Sequence, residues 1–266
     1  MSLRREEVLP YLATRELGRG MYCWAEEMPS TNGKALELAR KGAPAGTLAV
    51  CERQTAGRGR LNRTWESRPG EDLTLSVILQ VQPERICLYP LAVSLAGVRA
   101  IREVCPGSKP KIKWPNDLLL EGKKVGGILC ALTGDRLVAG IGINGNRQDF
   151  PEELQCRATS LKKSWGEISL PRLMGCFLNH LEETIAPLER GNREELLASY
   201  RPLCATLGRR VQVLESQGQW IGTALEVTGE GALQVRDEQG TVHCVYAGDV
   251  SVRGLMGYVD EGEDEP

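Results

Sequence analysis

Hydrophobic positions along the chain change their spacing near residue 203, and that change divides the sequence into two parts. Before it, helical and extended patterns alternate. Residues 4–14 read as a short helix ending near Gly18. A second helix follows PSTN, where Thr31 or Asn32 is placed to cap, Leu36 and Ala39 share a face, and Gly42 stops the run. GTLAVCER predicts a strand, and DLTLSVILQV a long strand with partial alternation. LYPLAVSLAGVRAIREVC is a helix apolar enough to lie against a sheet. KIKWPNDLLLEGKKVGGILCAL suggests two strands joined by a turn at Glu121-Gly122, and RLVAGIGIN another strand. SLPRLMGCFLNHLEETIAPLER and NREELLASYRPL are helices. Beyond Leu203, RRVQVLE, QWIGTALEVT, GALQVRD and GTVHCVYAGDVSVR are short strands between turns, the spacing of a small β-barrel. Helices and strands alternate without a regular βαβ period, which favours an α+β fold over a doubly wound sheet. The acidic end, DEGEDEP, is expected to be disordered.

Composition changes this picture little. The 266 residues are 41% hydrophobic and 26% charged, ordinary for a globular protein. The net charge of −2 supplies no bulk attraction to nucleic acid or anionic membrane. The N-terminus lacks a signal-peptide apolar run, and nothing approaches a membrane span. Nine cysteines without a C-x-x-C pair, beside only two histidines, fit free thiols in a reducing cytoplasm and argue against structural zinc. His180 falls in an amphipathic helix, as a surface or packing residue.

Against that balance, QTAGRGRLNRTW (Gln54–Trp65) is a local concentration of arginine. One reading is a solvated turn or an arginine–glycine contact to nucleic acid. The favoured one is a phosphate loop, in which glycine frees backbone N–H groups and guanidinium forks pair with oxyanions. Trp65 offers a flat face to a purine or a cation. Downstream, KWPND and KKVGGIL surround apolar strand residues with Lys113, Asn116, Asp117, Lys123 and Lys124. Pro115 favours a turn or edge position for Asn116 and Asp117. Asp117 could bind a metal, orient a lysine or cap a turn. Lys124, close to Gly126-Gly127, suits an anion pressed against a strand, although a solvated surface lysine is the commoner case. GIGING (Gly140–Gly145) matches G-x-G-x-x-G, but NRQDFPEEL cannot open the helix that a dinucleotide site needs. Close approach of a ligand or another backbone to those glycines is the better reading.

In order, these segments resemble the catalytic region of the biotin–protein ligases. STN (30–32), QTAGRGRLNRTW, KWPND with KKVGGIL, GIGIN and ATSL (158–161) carry the resemblance, and AGDVSVR resembles the end of that family's C-terminal barrel. The resemblance implies a mixed β-sheet catalytic domain with flanking helices over 1–203, an SH3-like β-barrel over 204–256 and an acidic tail over 257–266. It implies activation of biotin by ATP with Mg²⁺ as biotinyl-5′-AMP, then transfer to a lysine of a biotin carboxyl carrier protein. Both steps develop negative charge at phosphate, where positioned cations and N–H donors are most effective. Ser30, Thr31, Asn32 and Gln54 would meet the biotin head. Gly57, Arg58, Arg60 and Gly127 would enclose the carboxylate and phosphate, with Lys124 bridging them. Trp65 and Asn144 would serve the adenine, and Asn116 and Asp117 the reaction centre. Asp117 would orient the incoming lysine or assist metal binding, and the metal ligands stay open.

Leu61-Asn62 replace the Arg-Gly that often follows GRGR, and Ala131 stands where many relatives carry an acid. Some thirty residues before STN leave no room for the winged helix of relatives that are also repressors, so a ligase without DNA binding is expected. A homodimer through sheet edges is an expectation of the family alone. The rival enzyme is a lipoate or octanoate transferase on a similar fold, whose Arg-Arg-x-Ser-Gly-Gly-Gly loop is missing. The rival of another class is a nucleic-acid-binding module, whose affinity would fall steeply with salt. A loop of glycine and solvated arginine has little packing energy and is expected to order over the adenylate. Limited proteolysis within 54–65 should therefore be suppressed by biotin plus ATP; equal cutting with and without them would count against ordering.

Overall fold

A computed structural model describes residues 2–215, 218–247 and 251–254. In chain order the elements are α1 (Arg5–Val8), β1 (Tyr22–Met28), α2 (Thr31–Arg40), β2 (Leu48–Gln54), β3 (Asp72–Gln80) and α3 (Tyr89–Val104). β4 (Lys111–Lys113), β5 (Asp117–Leu120), β6 (Lys123–Thr133), β7 (Arg136–Asn144), α4 (Lys162–Trp165), α5 (Leu170–Glu189) and α6 (Arg193–Tyr200) follow. The remainder is β8 (Arg210–Glu215), β9 (Gly218–Val227), β10 (Leu233–Asp237), β11 (Val242–Val245) and β12 (Ser251–Gly254).

The first seven strands form one mixed sheet in the order β1-β2-β3-β7-β6-β5-β4, parallel only between β1 and β2. Side chains alternate across a strand, so each strand sorts its residues between two faces. In β3, Leu73, Leu75, Val77 and Leu79 enter the main core with α3 and α5. Each such burial is worth roughly 1.5–3 kcal/mol relative to exposure. The intervening Ile78 packs in a small second cluster with Ala35 of α2, Ala49 and Val138. Helix α2 covers only part of that second face, and the uncovered part is the cleft described below.

Several expectations need correction. The helix expected over 4–14 is α-helical only over Arg5–Val8, because Pro10 has no amide to continue it and a 3₁₀ turn takes over through Tyr11. β1 is an additional strand; its two exposed glutamates, Glu26 and Glu27, suit the sheet edge it occupies. Ser30, not Thr31 or Asn32, caps α2, its hydroxyl accepting from the Gly33 amide at 3.3 Å. The segment 111–132 makes three strands, not two, because the turn of Pro115 and Asn116 separates β4 from β5. The turn at Glu121-Gly122 stands where expected, with φ of 51° and 73°. Such paired positive values join strands in a two-residue hairpin.

The second sheet is antiparallel, ordered β11-β10-β9-β8-β12. The single run expected over 240–253 is interrupted: β11 pairs with β10, and β12 crosses to β8. Trp114, buried between the sheets, donates its indole N–H to the Gly231 carbonyl at 3.2 Å, and its amide to Thr206 Oγ1 at 2.9 Å. The acidic tail over 257–266 lies outside the described residues.

The N-terminal strap crosses α5 at Gly175, where an added Cβ would lie 2.9 Å from the Tyr11 carbonyl oxygen and still closer to the Tyr11 Cβ. Gly175→Ala should therefore cost about 1–3 kcal/mol through overpacking. A lower urea midpoint at unchanged slope would record it.

Candidate active site

The open face of the main sheet is floored by residues with little or no side chain. Register places Ser76 of β3 beside Gly140 of β7 and Leu129 of β6, and Thr74 beside Gly142 and Gly127. Over this floor lies an open cleft. A Cβ at Gly140 would come within 2.9 Å of Asn32 Nδ2, and one at Gly142 would collide with the Trp65 indole. A Cβ at Gly127 would lie 3.2 Å from Lys124 Nζ. The glycines of GGIL and GIGIN therefore let three side chains lie on the sheet itself.

Uncharged hydrogen-bonding groups gather at one end. Ser76 donates to Thr31 Oγ1 at 2.9 Å, and Thr31 donates to Gln54 Oε1 through its hydroxyl at 3.2 Å and its amide at 2.8 Å. Asn32 Nδ2 reaches the Leu129 carbonyl at 3.0 Å. Ser30 also lines this end.

Cations gather at the other. Gly127 faces the cleft and Gly126 the core, so strict alternation would turn Lys124 into the core. The β5–β6 register shifts between Leu118 and Leu119, pairing them with Gly126 and Lys124 and leaving Val125 as an extra, buried residue. This bulge returns Lys124 to the open face. Its Nζ lies 2.6 Å from Asp117 Oδ1 and 5.7 Å from the Trp65 ring centroid, while its backbone pairs with Arg157 and Thr159. Lys113 Nζ is 3.8 Å from the other Asp117 oxygen.

The arginine loop leaves β2 after Gln54 and is cinched at its base. The Trp65 amide donates to the Gly57 carbonyl at 2.9 Å, and a Cβ at Gly57 would strike the Trp65 carbonyl. Arg58 is exposed at the cleft rim. Arg60 is drawn in: its guanidinium donates to Asn116 Oδ1 at 2.9 Å and to the Ala247 carbonyl, next to the second sheet. Burial pulls its pKa below the ordinary arginine value, an effect the Asp117 charge opposes. Asn116 is held in turn, donating to the Ile128 carbonyl at 3.1 Å.

The structure thus gathers Ser30, Thr31, Asn32, Gln54, Arg58, Arg60, Trp65, Asn116, Lys124 and Gly127 around one cleft. Gly57 shapes the loop base, and Asp117 stands behind Lys124. Asn144 is buried at the end of β7 and donates to the Thr159 carbonyl at 2.9 Å, anchoring the segment that flanks Lys124. Sequence reasoning missed Ser76, for which the polar positions interleaved in DLTLSVILQ were the signal. It also missed Ser67, whose hydroxyl accepts the Gln54 amide at 2.7 Å.

Comparison with known proteins decides the family. The profile of the Biotin/lipoate A/B protein ligase family matches residues 24–146, and that of the Biotin protein ligase C terminal domain matches 206–253. The bifunctional ligase/repressor BirA of Bacillus subtilis is 31% identical, over 94% of this chain and 79% of its own length. The biotin–[acetyl-CoA-carboxylase] ligase of Mycobacterium tuberculosis is 33% identical, over 83% and 85%. The chain belongs to the biotin protein ligase family. Among solved structures, the biotin protein ligase from Aquifex aeolicus in complex with biotin and ATP superposes with a TM-score of 0.79 at 30% identity, covering 88% of this chain and 99% of that one.

The floor generates a direct test. Gly142→Ala must displace the Trp65 indole, so a ligand bridging both ends of the cleft should bind at least about tenfold more weakly, about 1.4 kcal/mol. Calorimetric titration with biotinyl-5′-AMP checks it; unchanged affinity would mean that Trp65 does not rest on the floor in solution.

Proposed function

We propose that this chain activates biotin with ATP, forming biotinyl-5′-AMP and pyrophosphate, and passes the biotinyl group to a lysine of a biotin carboxyl carrier protein. The observation that carries the reading is the bulge in β6, which sets Lys124 on the same open face as the Ser76–Thr31–Gln54 chain. A ligand lying along the floor meets neutral donors and acceptors at one end and a cation at the other. The ureido head of biotin suits the first end, and its carboxylate and the α-phosphate suit the second.

In the first step a biotin carboxylate oxygen attacks the α-phosphorus, and the bond to the pyrophosphate oxygen breaks. Lys124, Arg58 and Arg60 hold the oxyanions together, offsetting their repulsion and the charge that grows on phosphate. Asp117 fixes the Lys124 ammonium at 2.6 Å, so the cation is preorganised instead of recruited from solvent. Trp65 offers its ring to the adenine, and the base of the loop excludes water from the anhydride. In the second step a neutral lysine amine of the carrier attacks the biotinyl carbonyl and AMP leaves. Asp117, at the cationic end of the cleft, orients the incoming amine, whose proton passes to solvent as AMP leaves.

Magnesium bound with nucleotide phosphates requires few protein ligands and neutralises pyrophosphate. Among the described residues there is no cluster of three metal-ligating side chains, and the carboxylate of Asp117 faces Lys124 and Lys113. A magnesium ion here would be held chiefly by the nucleotide's own phosphates.

The deciding measurement is exchange of labelled pyrophosphate into ATP. It should require biotin and fall about 10²–10³-fold in kcat for Lys124→Ala, the scale for removing one preorganised donor to an oxyanion. Exchange supported by lipoate instead of biotin would transfer the assignment to the rival enzyme.

A further inference from the structure

Behind the loop lies a buried charge cluster that no step above uses. The Arg147 side chain, 3% exposed, places Nε 3.0 and 2.9 Å from the two oxygens of fully buried Asp72. The other prongs of its guanidinium reach Glu66: Nη1 to the carboxylate at 3.1 Å and Nη2 to the carbonyl at 2.8 Å. The Arg147 carbonyl accepts from Ser160 Oγ at 2.6 Å, joining the cluster to the segment that flanks Lys124.

These bonds complete a series. Four consecutive residues leaving the loop are each tethered: Trp65 by Gly57, Glu66 by Arg147, Ser67 by Gln54 and Arg68 by Asp72, whose Oδ2 accepts the Arg68 amide at 2.8 Å. Stability does not call for an ion pair in this position. Taking both charges out of water costs more than packing apolar side chains there would, and replacing such pairs with hydrophobic residues is often neutral or stabilising. What the guanidinium supplies is direction, since its planar fork fixes the Glu66 backbone against β3 and β7 together. Glu66 directly follows the residue whose indole rests on Gly142.

We infer that Arg147 is a positioning residue for the purine end of the cleft: it pins the loop stem at Glu66 and thereby sets the seat of Trp65. The inference rests on the function proposed above. It places binding of the nucleotide partly in a residue that touches neither substrate, and at a distance from the biotin end, whose side chains come from α2, from β2 and from Ser76 of β3.

Two variants test it in the biotin-dependent exchange assay. Arg147→Lys keeps a cation beside Asp72 but loses the fork to the Glu66 carbonyl. The double variant Asp72→Leu/Arg147→Met replaces the pair by apolar side chains, so it leaves no buried charge and releases both the Glu66 tether and the Arg68 amide. Both should raise KM for ATP about tenfold, with kcat and the Kd for biotin each within about twofold, a split that general destabilisation does not produce. In a Trp65→Ala background, adding Arg147→Lys should raise KM less than about twofold, because the residue acts through Trp65. An unchanged KM for ATP in a folded variant, a parallel loss of biotin affinity, or a full tenfold effect without Trp65 would each overturn the inference. Wild-type protein without biotin-dependent exchange would instead overturn the functional reading on which it rests.

Discussion

The cleft depends on one steric constraint: the open face of the central strands must carry almost no side chains. β3, β6 and β7 bury Leu, Val and Ile on one side, where the helices lie, and present Ser76, Gly127, Gly140 and Gly142 on the other. A sheet with valine at those positions would gain apolar burial and lose its binding surface. The glycines forgo about 0.5–1 kcal/mol each relative to alanine within a regular element. In exchange, Asn32, Trp65 and Lys124 can approach the backbone directly. Everything chemical in the cleft is arranged on top of that bare strip.

Charge in this protein follows burial. Arg58, at the rim, is solvated, whereas Arg60 is drawn against Asn116 and the Ala247 carbonyl. Lys124 keeps Asp117 as a close counter-ion. Asp72 is the extreme case: burial pushes its carboxyl up to about 6 even though Arg147 pulls it the other way. The Asp72–Arg147 pair keeps its ion pair and hydrogen bonds in spite of that burial. Its bond geometry, four contacts from one guanidinium, is what the fold retains.

Much of this was legible in the sequence because strong local patterns wrote it. β3 and β7 follow alternating or continuous apolar runs, and α5 follows a Ser169-Leu-Pro start. The Glu121-Gly122 hairpin follows from turn chemistry. Most of the residues around the cleft were legible too, as motif positions. What stayed hidden depends on distant partners. YCWAEEM lacks alternation and becomes a strand only because β2 lies beside it. The β6 bulge is foreshadowed by Gly126-Gly127, but its effect on Lys124 requires the register with β5. Arg147 has no local signature; its partners Asp72 and Glu66 lie 75 and 81 positions away.

Trp114 gives the KWPND motif a second allegiance. Its indole N–H is held by the Gly231 carbonyl and its backbone amide by the Thr206 hydroxyl, while Asn116 and Asp117, two and three positions on, stand at the cationic end of the cleft. The five residues thus span from the C-terminal region to the carboxylate beside Lys124. The C-terminal region therefore shares its packing with the cleft: a side chain placed to satisfy Trp114 is also one that fixes where the KWPND turn begins.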